Sequence, residues 1–136
     1  MRTLVVYYSK TGTTKRVAEA VVAAKGCDFV ELQFDEKTQT MSAIDPVHNP
    51  AEYERVILLA PVWAFALATP MKMYIAEHKS AIAAMKNYDL IVTCGGWGLR
   101  GCVRNCRRAI GKPPETALIF KAKQVKRGEF DIRPLV

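Results

Sequence analysis

The sequence predicts a doubly wound α/β fold, a five-stranded parallel sheet with helices on both faces. Three observations predict it. Continuous apolar runs recur along the chain, among them Thr3 to Tyr8, Arg55 to Ala60 and Tyr88 to Thr93. Stretches of helical period follow these runs, at spacings that put apolar side chains on one face. The segments between a run and its helix are rich in small hydrogen-bonding residues, as in YSKTGTT, or in glycine, as in CGGWGLRG. Strands that alternate with helices require right-handed crossovers, which make the strands parallel.

The elements follow in order. Thr3 to Tyr8 is a continuous, strand-like run. From Arg16 the apolar residues Val17, Ala18, Val21 and Val22 share a helix face, and Gly26 ends the helix. Phe29 to Phe34 alternates apolar and polar residues, as a half-covered or edge strand does. Asp35 to Glu54 shows no sustained period, although Asn49 and Pro50 suit one capped helical turn. Arg55 to Ala60 is a third strand, and a helix starting at Pro70 carries Met71, Tyr74, Ile75, His78, Ile82 and Met85 on its apolar face. Tyr88 to Thr93 and Thr116 to Ala122 complete the five strands, with a helix from Leu99 to Ile110 between them.

Composition bounds the reading. A chain of 136 residues, half of them apolar, fits one domain spanning 1–136, with its core in 3–122 and a C-terminal arm in 123–136. Leu4 to Tyr8 is too short for the apolar core of a signal peptide. The longest apolar run, Val56 to Ala68, contains Pro61 and falls short of the roughly 18 residues of a membrane span. A cytoplasmic protein without a membrane span is the expectation, with Cys27, Cys94, Cys102 and Cys106 as reduced thiols. No C-x2-C spacing is present and both histidines lie far from the cysteines, so no metal site is expected.

In an open parallel sheet the ligand sits at the carboxyl ends of the strands. Three loops therefore carry the functional expectation. The first offers hydroxyls from Ser9, Thr11, Thr13 and Thr14 and the free N–H groups of a helix start, with Gly12 letting the chain curl around an oxyanion. It is not a Walker loop, because Lys10 precedes the glycine. Taken alone it is equally a Ser/Thr-rich helix cap. The second loop, PVWAFALATP, and the third, CGGWG, each hold a tryptophan, and a planar ligand between two rings would use both Trp63 and Trp97.

These motifs together resemble the flavodoxin family over residues 3 to about 122. The resemblance implies a flavodoxin-like sheet of order 2-1-3-4-5 and noncovalently bound FMN. On the matching positions, Ser9, Lys10, Thr11, Gly12, Thr13 and Thr14 would hold the phosphate. Pro61, Val62, Trp63, Ala64 and Phe65 would line one face of the isoalloxazine, while Cys94, Gly95, Gly96, Trp97 and Gly98 would line the pyrimidine edge and the other face. Ala64 stands in a loop where the family often has glycine, and a non-glycine residue needs about 1 kcal/mol to reach positive φ. The family closes with a helix after the fifth strand. Here only KQVKRGEFDIRPLV remains, which suits a strand pair or an extended arm and leaves a sheet face for a second subunit to cover, as a homodimer.

Many flavodoxins are acidic, whereas this chain carries a net charge of +7. On the helix from Leu99 to Ile110, Cys102, Val103, Cys106, Ala109 and Ile110 form one stripe and Arg100, Arg104, Arg107 and Arg108 the opposite one. The arginines are either a solvated face or a docking surface for an acidic redox partner or anionic nucleotide. No nucleic-acid reading motif accompanies them. An electron-transfer role is favoured, with an FMN-dependent NAD(P)H:quinone or flavin oxidoreductase as the alternative. Two remoter readings are a phosphatase, from the C-x5-R spacing of Cys94 and Arg100, and a flavin-free docking domain.

Overall fold

A computed structural model describes residues 2–136. Its parallel strands are β1 (Thr3–Tyr8), β2 (Asp28–Asp35), β4 (Arg55–Trp63), β6 (Asn87–Cys94) and β7 (Thr116–Lys121). They lie in the order β2-β1-β4-β6-β7, the expected 2-1-3-4-5. Two short strands were not legible in the sequence. β3 (Thr40–Ala43) runs antiparallel to β2 at one edge, and β5 (Ala66–Leu67) folds back on the end of β4.

Alternation along the central strands assigns side chains to the two faces. Leu4, Val6, Tyr8, Val56, Leu58, Leu90 and Val92 face α2 (Thr69–Ala84) and α3 (Leu99–Ile110), which contribute Met71, Tyr74, Ile75, Cys102 and Cys106. Val5, Tyr7, Ile57, Leu59 and Ile91 face α1 (Thr13–Lys25), which contributes Val17, Ala18 and Val21. Both faces of the central strands are therefore dry, which is why they appear in the sequence as unbroken apolar runs. His78 is only half-buried, stacked on Tyr74 with ring centroids 4.4 Å apart at a non-helical point of α2. Ala109, expected in the apolar stripe of α3, is exposed.

The C-terminal segment differs from the expected strand pair. α4 (Ala122–Lys126) is a short helix, and Arg133–Leu135 forms a 3-10 turn. Phe120, Val125 and Leu135 are buried with Phe130 and Ile132 against the α1 face of the sheet. Arg16 donates to the Lys126 carbonyl at 2.9 Å and Lys25 to that of Leu135 at 3.0 Å, fastening the segment along α1. The face expected to need a second subunit is thus covered by the chain itself. Periodicity could not show this, because single apolar residues several positions apart do the covering.

At the amino ends of the strands a buried ion pair ties three of them together. Arg55, on β4, donates from Nε and Nη2 to the two Asp89 oxygens on β6, each at 2.7 Å, and from Nη2 to Glu115 beside β7 at 2.8 Å. Asp89 is fully buried and also accepts the Thr116 N–H at 3.2 Å. The carboxyl ends, where the three loops emerge, carry no comparable clamp among the described residues.

Candidate functional site

The first loop joins β1 to α1 through Gly12, whose φ of +94° is a left-handed conformation that a side chain would resist. The Gly12 N–H donates to the Ser9 hydroxyl at 3.1 Å, which closes the turn. α1 has no side-chain cap, so the N–H groups of Thr13, Thr14 and Lys15 have no acceptor within the helix. They open beside a cleft of about 200 Å³ lined by Thr11, Thr13, Thr14, Trp63, Thr93 and Cys94 among others. Free backbone donors and hydroxyls at a helix start suit an oxyanion. Lys10 also lines this cleft. Its ammonium lies 2.7 Å from the Glu36 carboxylate, which raises its pKa, and 5.7 Å from the centre of the Trp63 ring. Thr14 is buried, its hydroxyl 2.8 Å from that of Thr93.

The second loop is a tight hairpin. β4 runs on to Trp63, so Pro61 and Val62 belong to the strand, and Val62 pairs with Leu67 and Trp63 with Ala66. Ala64 and Phe65 form the turn at φ +50° and +64°, the positive pair of a type I′ turn. Ala64 therefore already holds the conformation it was expected to resist. The Trp63 ring is half-buried, edge-on to Tyr8 at 5.6 Å and 6.2 Å from Phe34. Phe65, 69 % exposed, and Trp97, 74 % exposed, are the open aromatics of these loops, while Trp63 lines the cleft.

The third loop runs from Cys94 to Gly98, where α3 begins. The Gly96 N–H donates to the Cys94 sulfur at 3.1 Å. Gly98 has a φ of +111°, and a β-carbon there would collide with Val62 of β4. Gly101 and Asn105 on α3 were not among the expected cofactor-binding residues, yet they hold the second loop against this helix. The Phe65 carbonyl fills the space beside Gly101, and Asn105 accepts the Leu67 N–H at 2.9 Å. Lys121, last on β7, pairs with Cys94 and lays its Cε 3.8 Å from where a Gly96 β-carbon would stand. A fourth glycine spaced after Gly98 was the available signal for Gly101, whereas nothing local marks Lys121 or Thr93.

Burial pushes the Cys102 and Cys106 thiols up to about 12, which leaves them as inert packing groups. The four arginines of α3 are exposed and form no salt bridge among the described residues. Among those residues no helix is long and apolar enough to cross a membrane.

A cleft at the ends of β1, β4 and β6, beside two loops that carry exposed aromatics, has a counterpart in the sequence comparisons: the model of the flavodoxin domain matches residues 4–96. The chain belongs to the flavodoxin family. No curated protein gives a significant match. Among solved structures, this flavodoxin is similar to a flavoprotein from Lactobacillus acidophilus NCFM in complex with FMN, at 19% identity and a TM-score of 0.74 over 93% of this chain and 97% of that one. A flavodoxin from the domain Archaea has 19% identity and a TM-score of 0.59 over 98% and 97%. The flavodoxin of Fusobacterium nucleatum bound to flavin mononucleotide has 19% identity and a TM-score of 0.55 over 86% and 69%. At these identities the likeness is one of fold, and the site must be argued from the residues of this chain.

Proposed function

We propose that this flavodoxin binds FMN noncovalently in the three-loop cleft and carries electrons between redox partners. The observation that carries the reading is the uncapped start of α1, where Thr11, Thr13 and Thr14 line the cleft and the Ser9 hydroxyl closes the turn behind them. An anion there would receive charge-assisted hydrogen bonds and a favourable helix dipole. Thr14 would contribute its backbone N–H and, when Thr93 donates to it, its hydroxyl proton. The ring would extend between Pro61 to Phe65 on one side and Cys94 to Gly98 on the other, with Phe65 and Trp97 as its exposed walls. Two of the structural neighbours carry FMN, which supports the same cofactor here. FMN, when bound, supplies a ring that takes up and releases electrons singly or in pairs.

The partner is an acidic redox protein. Arg100, Arg104, Arg107 and Arg108 form an exposed stripe on α3, which starts directly after the third loop, so positive charge lies beside the ring pocket. Like charges gathered in this way accelerate encounter with an opposite surface. A second reading, an FMN-dependent NAD(P)H:quinone or flavin oxidoreductase, is favoured by the openness of Phe65 and Trp97, which leaves the ring accessible to a small substrate.

The cofactor reading is tested by replacing Thr11 and Thr13 with valine. Each lost hydrogen bond to a charged phosphate is worth about 1.5 to 3 kcal/mol, so FMN affinity should fall at least about tenfold while riboflavin binding changes little. Unchanged quenching of FMN fluorescence by the double variant would refute the assignment. Turnover with NAD(P)H and a quinone, absent or present, separates carrier from reductase.

A further inference from the structure

Thr93 belongs to none of the three loops, yet its hydroxyl meets that of Thr14 at 2.8 Å across 79 positions of sequence. Both side chains are almost wholly buried, at 3 % and 2 % exposure, and both line the cleft with Thr11 and Thr13. Thr93 itself is rigidly placed. It lies near the end of β6 between Pro61 of β4 and Phe120 of β7, with paired strands on both sides.

The first turn of α1 is otherwise weakly held. It has no side-chain cap, its contacts from Gly12 to Ser9 and between the Thr11 and Thr13 hydroxyls at 3.4 Å are exposed and local, and the links of Lys15 to Glu31 and of Arg16 to the Lys126 carbonyl lie on its solvent side. Helix starts with unsatisfied N–H groups fray, and water competes with exposed hydrogen bonds more than with a buried one. The Thr14 to Thr93 bond therefore fastens the turn to the sheet at the point where its N–H groups open toward the cleft.

We propose that Thr93 is a positioning residue for phosphate recognition, holding the first turn of α1 in its anion-binding conformation from a neighbouring strand. This rests on the FMN reading of the cleft. Each hydroxyl has one proton and two acceptor positions. With Thr93 donating to Thr14, the Thr14 proton stays available to a phosphate oxygen at the helix start, whereas the opposite orientation leaves the free proton on Thr93 and only lone pairs on Thr14. An anion in the cleft selects the first orientation. Without the Thr93 hydroxyl, the turn is competent for only part of the time, and the apparent affinity falls by that fraction.

The test uses Thr93→Val, which keeps shape and strand preference, and Thr93→Ser, which keeps the hydroxyl. Affinities for FMN and riboflavin are measured by fluorescence titration, and amide hydrogen exchange is followed over residues 11–16 of the cofactor-free protein. Thr93→Val should weaken FMN about fivefold or more, leave riboflavin within about twofold, and speed exchange in residues 11–16 but not in β1 or β4. Thr93→Ser should restore both. An unchanged FMN affinity in Thr93→Val, or equal losses for FMN and riboflavin, would overturn the role of Thr93 alone. A wild-type protein that binds FMN no better than riboflavin would instead overturn the phosphate reading, and the role of Thr93 with it.

Discussion

The carbonyl oxygen of Phe65 occupies the space that a β-carbon on Gly101 would need, so the second loop rests on the bare backbone of α3. Gly101→Ala should therefore displace the hairpin. We expect a loss of about 2 kcal/mol or more in urea unfolding, the range of a buried steric conflict, together with weaker FMN binding. Gly95→Ala, where an added methyl meets no protein atom within 4 Å, is the control for unfolding and should leave stability nearly unchanged.

The Ala64 and Phe65 turn stores strain, because two side chains sit at positive φ. Replacing Phe65 with glycine should raise stability by about 0.5 to 1 kcal/mol and, by removing an exposed aromatic wall, weaken FMN binding. Opposite signs in thermal unfolding and in flavin titration are the expected pattern. A fall in stability would mean that the turn is held by contacts of the Phe65 ring.

At the far end of the sheet, Asp89→Ala would leave Arg55 partly buried with only Glu115 for a partner. Breaking a buried pair from one side costs about 3 to 5 kcal/mol, a large share of a typical domain's stability of about 5 to 15 kcal/mol. Urea titration should show that loss, with FMN affinity per folded molecule unchanged because the pair lies away from the loops.

Thiol chemistry should divide the four cysteines. With their thiols pushed up to about 12, Cys102 and Cys106 hold about one thiolate in ten thousand at pH 8 and are buried as well. A disulfide reagent at pH 8 should modify them only after unfolding. Cys94, half-exposed in the third loop, should react in the cofactor-free protein and be protected by FMN. Protection of Cys27 instead, which lies after α1, would argue against the cleft.

Charge on α3 should appear in rates rather than in cofactor affinity. Replacing Arg104 and Arg107 with glutamate should slow electron transfer to an acidic acceptor severalfold at low salt, with the difference shrinking as ionic strength rises. FMN affinity should not move. Equal rates at low salt would mean that the stripe is a solvated face.

The sequence disclosed what continuous patterns encode. β1, β4 and β6 were legible because both of their faces are buried, and α3 because its cysteines and arginines fall on opposite stripes. β3 escaped notice because it is only four residues long, with just Met41 and Ala43 turned to the core and both only half-buried. The hairpin escaped because its turn lacks the glycine or asparagine that normally marks positive φ. The hydroxyl and glycine loops could be read directly, but their supports could not. Thr93, Gly101 and Lys121 act on partners brought close only by folding. The setting of Trp63 was hidden for the same reason, since its neighbours Tyr8 and Phe34 come from two other strands.

The ion pair of Arg55, Asp89 and Glu115 anchors the strands at the end opposite the loops. Stability and recognition are thereby assigned to different poles of one sheet. Such a division lets the crown of loops change without loosening the base. It also makes the chain a candidate for loop grafting: a foreign second or third loop could be transplanted between β4 and α2, or between β6 and α3, without touching the residues that clamp the strands.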